Sequence, residues 1–332
     1  MRLENFLALT QAALINEPCV HSFENIVFEA HKVKRGDLFF AYNNEEIELA
    51  VANGAYGVIF DKPTQISDNE IAWIKAKNLD DALKKMLRYK AIEKEIVAYE
   101  CNEIVLKLSL QVITGSNFLT VTGDLKSVFK ALWNVEDKTT VLFCPALNDK
   151  DIFATVKKIP NTSFLSIEIV EQTLFETSFV YDDIFYERQL ISPFFIPYLE
   201  ELLHLYKTLK IDYKLRKFTP IEHFEAVFTN KKFEIKSFGS SDRVLIFEPN
   251  VDLIKNQIAF LEHHALWAET IFIVPINIFD EHKSNIYIYK NEKDIIEILK
   301  NTKFHFALIA GVNKSILNIQ ITNQKQLTFE FS

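Results

Sequence analysis

Apolar residues recur along this chain with two periods, one near 3.6 and one of about two, that alternate segment by segment. Residues 1–15 carry helical spacing, with Leu3, Phe6, Leu7 and Leu14 on one side. Short apolar runs at 25–28, 38–42, 57–60 and 71–76 have the length of strands. Between them, 45–53 reads as a helix that stops at Gly54, a residue suited to the left-handed conformation of a helix end. Another helix starts at about 78–80, with Asn78 or Asp80 as its N-cap, and runs to about Tyr89. Strands alternating with helices predict a parallel or mixed sheet.

A second segment starts near Glu95. It carries expected strands at 118–121, 140–143 and 163–170 and expected helices at 125–133 and 149–157. Two hairpin-like strands are expected at 173–181 and 184–191, with Asp182-Asp183 in the turn, where Asp can hydrogen-bond its own backbone. Residues 196–209 then place Leu199, Leu202, Leu203, Leu205, Tyr206 and Leu209 on one crowded side of a helix. A third segment opens near Thr219-Pro220. Strands are expected there at 224–229, 232–236, 243–247, 270–274, 286–289 and 304–310, and helices at 253–267 and 292–300. The pattern predicts an α/β protein of three domains, 1–95, 96–215 and 216–332.

Composition narrows the chemistry. Of 332 residues, 48% are hydrophobic and 25% charged, an ordinary globular balance at a length that suits two or three domains. Only seven are Gly, few for a fold that wraps phosphates with Gly-rich backbone. The net charge is −8 and no basic stripe interrupts it, so nucleic acid is not an expected partner. Cys19, Cys101 and Cys144 are widely spaced and odd in number, and read as buried thiols of a reducing compartment, without a disulfide framework or metal spacing. The N-terminal stretch is charged at both ends, unlike a signal peptide, and no window approaches the ~18 apolar residues of a membrane span. The expected location is cytoplasmic.

Residues 32–60, KVKRGDLFFAYNNEEIELAVANGAYGVIF, resemble the N-terminal domain of the Mur ligases, in particular the MurE and MurF types. That family shows an Asp-Ser-Arg triplet, a Val-x-Pro-Gly-Asp-Leu-Phe turn and strand, a helix, and a Gly-Ala-x-Ala-Val-Val strand. Gly36, Asp37, Leu38 and Phe39 match the turn, and Gly54, Ala55, Val58 and Ile59 match the last strand. The resemblance implies a domain that holds the uridine end of a UDP-sugar, with Glu29, His31, Gly36 and Asp37 as what is left of that site. The triplet falls on Glu29-Ala30-His31, so its hydroxyl and guanidinium are missing.

The family's central domain opens on a P-loop, roughly Thr-Gly-x-Asn-Gly-Lys-Thr, whose backbone N–H groups and Lys hold phosphates. The matching stretch here is FLTVTGDLKSVFKALW. Thr122, Gly123, Lys126 and Ser127 are the matching positions, but the loop is one residue short and Leu125 stands where Gly belongs. The run Phe164-Leu165-Ser166-Ile167-Glu168 resembles a buried strand ending in a Glu that helps to bind Mg²⁺, which makes Glu168 the one metal-site candidate. The stretch that carries the family's metal-site His and its modified Lys is missing after it. In the third segment, His223-Phe224 falls near a Gly-Arg pair, and Phe247-Glu248-Pro249-Asn250 is what remains of an Asp/Tyr/Asn segment.

The resemblance therefore implies a three-domain Mur-ligase-like layout, with a truncated central P-loop-type domain, a Rossmann-like C-terminal domain and no catalytic residues. The leading expectation is a pseudo-ligase of a bacterial cytoplasm that binds a cell-wall precursor, a nucleotide or a protein of peptidoglycan synthesis and needs no cofactor. One rival is a residual ligase that joins an amino acid or peptide to a UDP-sugar through Lys126, Ser127 and Glu168 with ATP and Mg²⁺. The other is a protein-interaction scaffold with no small ligand. Phe194-Phe195 enters as a partner patch or, preferably, as core.

Overall fold

A computed structural model describes residues 1–145, 152–160, 166–241, 243–276, 278 and 284–317. The chain is mixed α/β and divides into two compact units. The first holds residues 1–106, 114–159 and 210–213, and the second holds the remaining described residues.

The first unit contains two sheets. One has five strands in the order Ala13–Leu14, Ala72–Lys75, Gly57–Phe60, Leu38–Phe40, Ile26–Val27. All pairs are parallel except the first, where Ala13–Leu14 runs antiparallel along the edge. Strands Leu38–Phe40 and Gly57–Phe60 are buried throughout, which explains their unbroken apolar runs. The other sheet is parallel, in the order Val156–Lys158, Val97–Glu100, Thr140–Phe143, Phe118–Thr120.

Helix Leu79–Glu93 is capped by the Asn78 side chain, which accepts from the Asp81 backbone N–H at 2.9 Å. It packs against helices Leu3–Thr10 and Leu125–Leu132. Its buried stripe, Leu79, Leu83, Met86 and Leu87, joins residues of both sheets in one core. The expected boundary at 95/96 therefore runs through a single shared core. Phe28, from the first sheet's edge, meets Phe129 of helix Leu125–Leu132 edge-on at 5.4 Å.

The second unit also has two sheets. A three-stranded antiparallel sheet is formed by Glu168–Gln172, Thr177–Tyr181 and Ile184–Gln189. Asp182 and Asp183 both have left-handed φ, 49° and 60°, as a tight two-residue hairpin turn requires. The five-stranded sheet runs Glu225–Thr229, Arg243–Glu248, Phe306–Ala310, Thr270–Pro275, Ile286–Tyr289, antiparallel at its first pair and parallel elsewhere. Its helices include Ile254–His264 and Glu292–Asn301, and helix Ile196–Leu209 has the expected bounds.

Several expectations need correction. The helix expected at 149–157 instead has strand Val156–Lys158 in its described portion, paired to Val97–Glu100; long-range pairing outweighs a weak local pattern. The first helix ends at Thr10, where Gln11 turns left-handed at φ 58°, and Ala13–Leu14 is extended. The strand expected at 232–236 is reduced to one bridge, Thr229 to Ile235. Helix Glu103–Ser109 was not anticipated. Cys19 is exposed, although Cys101 and Cys144 are buried as expected. Phe195 is buried, and Phe194 stacks on Phe224 and meets Phe260, so this pair belongs to packing. Among the described residues no helix is long and apolar enough to cross a membrane.

Candidate functional site

Strand Phe118–Thr120 delivers the chain to a turn and then to helix Leu125–Leu132. The turn needs Gly123. Its φ is +92°, and a Cβ there would come within 3.0 Å of the Ser127 Cβ. Asp124 is the N-cap: its Oδ1 accepts from the Ser127 backbone N–H at 2.9 Å and from the Ser127 hydroxyl at 2.6 Å. Those two bonds hold the Asp124 carboxyl below the usual range. The amino end of a helix attracts an anion through its unpaired N–H groups and its dipole. In this chain that anion is a neighbouring side chain. Thr122, half-buried, precedes the glycine.

Lys126 and Lys130 are one turn apart on this helix and share a face. The Lys126 ammonium sits 3.8 Å from the centre of the Tyr42 ring. The Tyr42 hydroxyl donates to Asp80 Oδ1 at 2.7 Å, and burial, followed by that bond, pushes its pKa well up. Lys130 Nζ pairs with Glu29 Oε1 at 2.6 Å and lies 5.8 Å from the centre of the Phe28 ring. The Lys130 hydrogen bond is also the main reason that Glu29 stays ionised below its ordinary range. The structure thus brings Glu29 of the expected uridine site onto Lys130, which lies on the same helix as Lys126 and Ser127 of the expected phosphate turn.

The remaining candidates are placed as follows. Asp37 is buried, and its carboxylate accepts from Asn25 Nδ2 at 3.0 Å and from the Lys34 backbone N–H at 2.8 Å. With Gly36 at φ +101°, it fixes its own turn. His31 is exposed in the short 3-10 turn Ala30–Lys32. Glu168 begins an antiparallel strand whose five residues are all exposed, and the buried strand expected to end at this Glu falls partly outside the described residues. Phe164 and Leu165 lie outside the described residues.

Two buried carboxylates were missed as organising groups. Glu200 Oε1 accepts from the Ser166 and Ile167 backbone N–H groups at 2.7 and 2.9 Å. Glu248 meets His223 Nδ1 at 2.7 Å, accepts from the backbone N–H groups of Asn250 at 2.8 Å and Phe224 at 3.1 Å, and accepts from Gln257 Nε2. His223 and Glu248 are 1% and 0% exposed. Both lie at positions that the sequence had already aligned with the Gly-Arg pair and the Asp/Tyr/Asn segment, so the pairing was open to inference. Among the described residues no group of three or more His, Cys, Asp or Glu side chains is arranged to hold a metal ion.

No family model matches the sequence, and no curated protein matches it. Solved structures do. MurF from Acinetobacter baumannii superposes with a TM-score of 0.56 at 10% identity, covering 98% of this chain and 98% of that one. The chain has a Mur-ligase-like fold. A MurF ligase from Thermotoga maritima, solved in complex with ADP, gives 0.53 at 11% identity, covering 92% of this chain and 98% of that one. At such identities the likeness concerns the fold, and the chemistry of this Mur-ligase-like chain has to be read from its own side chains.

Proposed function

We propose that this chain is a non-catalytic Mur-ligase-like protein that keeps its fold for recognition. Its partner would be a precursor or a protein of peptidoglycan synthesis, and it would not couple ATP to bond formation. The observation that carries this reading is the Asp124 carboxylate on the amino end of helix Leu125–Leu132. A phosphate group at that turn needs the same N–H groups and would meet a fixed negative charge within a few ångströms.

The residues matched to a nucleotide site do not fit ATP and Mg²⁺. Ser127, the candidate hydroxyl for the metal, donates to Asp124. Lys126, the candidate phosphate lysine, rests on Tyr42. Glu168 stands on an exposed strand, and among the described residues no group of three or more His, Cys, Asp or Glu side chains is arranged to hold a metal ion. Mg²⁺ requires several oxygen ligands in near-octahedral order. No step is therefore assigned to ATP, and a residual ligase using Lys126, Ser127 and Glu168 is the reading that this geometry disfavours.

Phosphate release tests the proposal. The purified chain at high concentration, given ATP, Mg²⁺, a UDP-MurNAc-peptide and an amino-acid or dipeptide acceptor, is expected to release no phosphate above a protein-free control. Release that depends on the UDP-MurNAc-peptide would overturn it.

A further inference from the structure

Every basic or hydrogen-bonding side chain of helix Leu125–Leu132 that faces this turn is already engaged by the chain's own groups. Ser127 is held by Asp124, Lys126 by the Tyr42 ring, and Lys130 by Glu29. Tyr42 is in turn fixed by Asp80, and Asp61 adds a further negative charge near its hydroxyl. Four carboxylates thus act on this group, Asp61, Asp80 and Asp124 on Tyr42 and Glu29 and Asp124 on the helix lysines, while Lys32, 3.7 Å from Glu29, and His31 add to the positive side. A polyphosphate approaching this group would meet an acidic neighbourhood even though two lysines, a serine and a helix end lie in it.

We propose that this network is an autoinhibitory contact: Glu29 and Asp124 act as built-in anions that mask Lys126 and Lys130 against anionic ligands. The inference rests on the reading of a chain that does not use ATP, and it adds a cause. Loss of the grip can come from the shape of a shortened loop or from occupation by internal charge. We assign it to charge as well as to the shortened loop, because the lysines and the hydroxyl are already engaged by the chain's own groups. The contact also explains why Tyr42 is anchored at both ends: its ring face supports Lys126 while its hydroxyl is tied to Asp80.

The same side chains connect the two sheets of the first unit. Glu29 and Tyr42 come from the region of the first sheet, and Lys126 and Lys130 from the helix after strand Phe118–Thr120. Phe28 and Phe129 lie beneath this polar layer in the shared core. Neutralising the carboxylates would therefore unmask the lysines without removing the apolar joint.

The test uses the full chain and inorganic pyrophosphate, with binding followed by calorimetry and by thermal shift at low salt. The unmodified chain is expected to give no saturable response at millimolar pyrophosphate. The double variant Glu29→Gln/Asp124→Asn keeps the N-cap, since Asn caps about as well as Asp. It is expected to bind at least about tenfold more tightly than the unmodified chain, the scale set by removing two charges within several ångströms of the anion. Adding Lys126→Ala is expected to abolish that gain. Saturable binding by the unmodified chain that Lys126→Ala removes would overturn the masking. So would a double variant that keeps its circular dichroism and melting transition yet gains nothing. If the double variant does not fold, Glu29→Gln alone, a surface change, takes the same test: a gain supports the masking of Lys130, and no gain overturns it. Phosphate release from ATP by the unmodified chain decides the proposed function, whereas the pyrophosphate response decides the masking, so the two can fail separately.

Discussion

Replacing Glu248 by alanine should come close to unfolding the second unit while sparing the first. Glu248 ends strand Arg243–Glu248 and is fully buried against His223. Its two oxygens serve four partners: His223 Nδ1, the Phe224 and Asn250 backbone N–H groups, and Gln257 Nε2. Each buried donor left without an acceptor costs about 1–3 kcal/mol. These costs overlap, because they describe the same desolvated groups, so the total is taken as roughly 4 kcal/mol and not as their sum. A domain is typically stable by only about 5–15 kcal/mol, and such a loss would leave little. Hydrogen exchange read by mass spectrometry separates the units. Peptides from Arg243–Glu248, Thr270–Pro275 and Phe306–Ala310 should lose most of their protection in Glu248→Ala, while those from Leu38–Phe40 and Gly57–Phe60 keep theirs. His223→Ala added to Glu248→Ala should cost much less than the two single losses combined. A loss below about 1 kcal/mol in Glu248→Ala, or equal deprotection in both units, would refute the account of this pair as the anchor of the sheet end.

Two further outcomes follow from the first unit. Gly57 begins a buried strand, and a Cβ there would lie 2.6 Å from the Phe23 ring and 3.1 Å from Leu38 Cδ1. Gly57→Ala should therefore destabilise by about 1–3 kcal/mol in urea unfolding, and an unchanged midpoint would show that the Phe23 ring yields freely. Asp124 and Glu29 are both held below the ordinary carboxylate range, by Ser127 and by Lys130. Their contribution to stability is thus complete above that range and is lost as pH falls through it and below. The melting temperature should drop from about pH 5 downward, and Glu29→Gln/Asp124→Asn should flatten that drop; an equal slope in both proteins would count against it.

Much of the architecture was readable from periodicity, because long-range burial left plain marks. Leu38–Phe40 and Gly57–Phe60 are apolar at every position since both faces are covered, and helix Ile196–Leu209 carries a stripe strong enough to fix its bounds. Failures came where tertiary pairing decides. Val156–Lys158 is an exposed edge strand of Val and two Lys, a composition that carries no strand signal and that suits an edge. Strand Glu168–Gln172 is exposed along its length, so no alternation announced its start. At the candidate site, the turn around Gly123 and the two lysines were visible as residue types at a spacing. Their engagement was not, because Glu29 is 101 residues from Lys130 and Tyr42 is 38 from Asp80. The N-cap role of Asp124 was not drawn from the sequence, although its position three residues before Ser127 is a local signal for it.

A single-turnover experiment tests the central claim most directly. The chain in molar excess over labelled ATP, with Mg²⁺, a UDP-MurNAc-peptide and an acceptor, is quenched over a time course and its phosphate counted. A Mur-ligase-like scaffold whose helix end is filled by Asp124 is predicted to leave the ATP intact over the full course. A burst of phosphate that requires the UDP-MurNAc-peptide and disappears in Lys126→Ala would contradict the account.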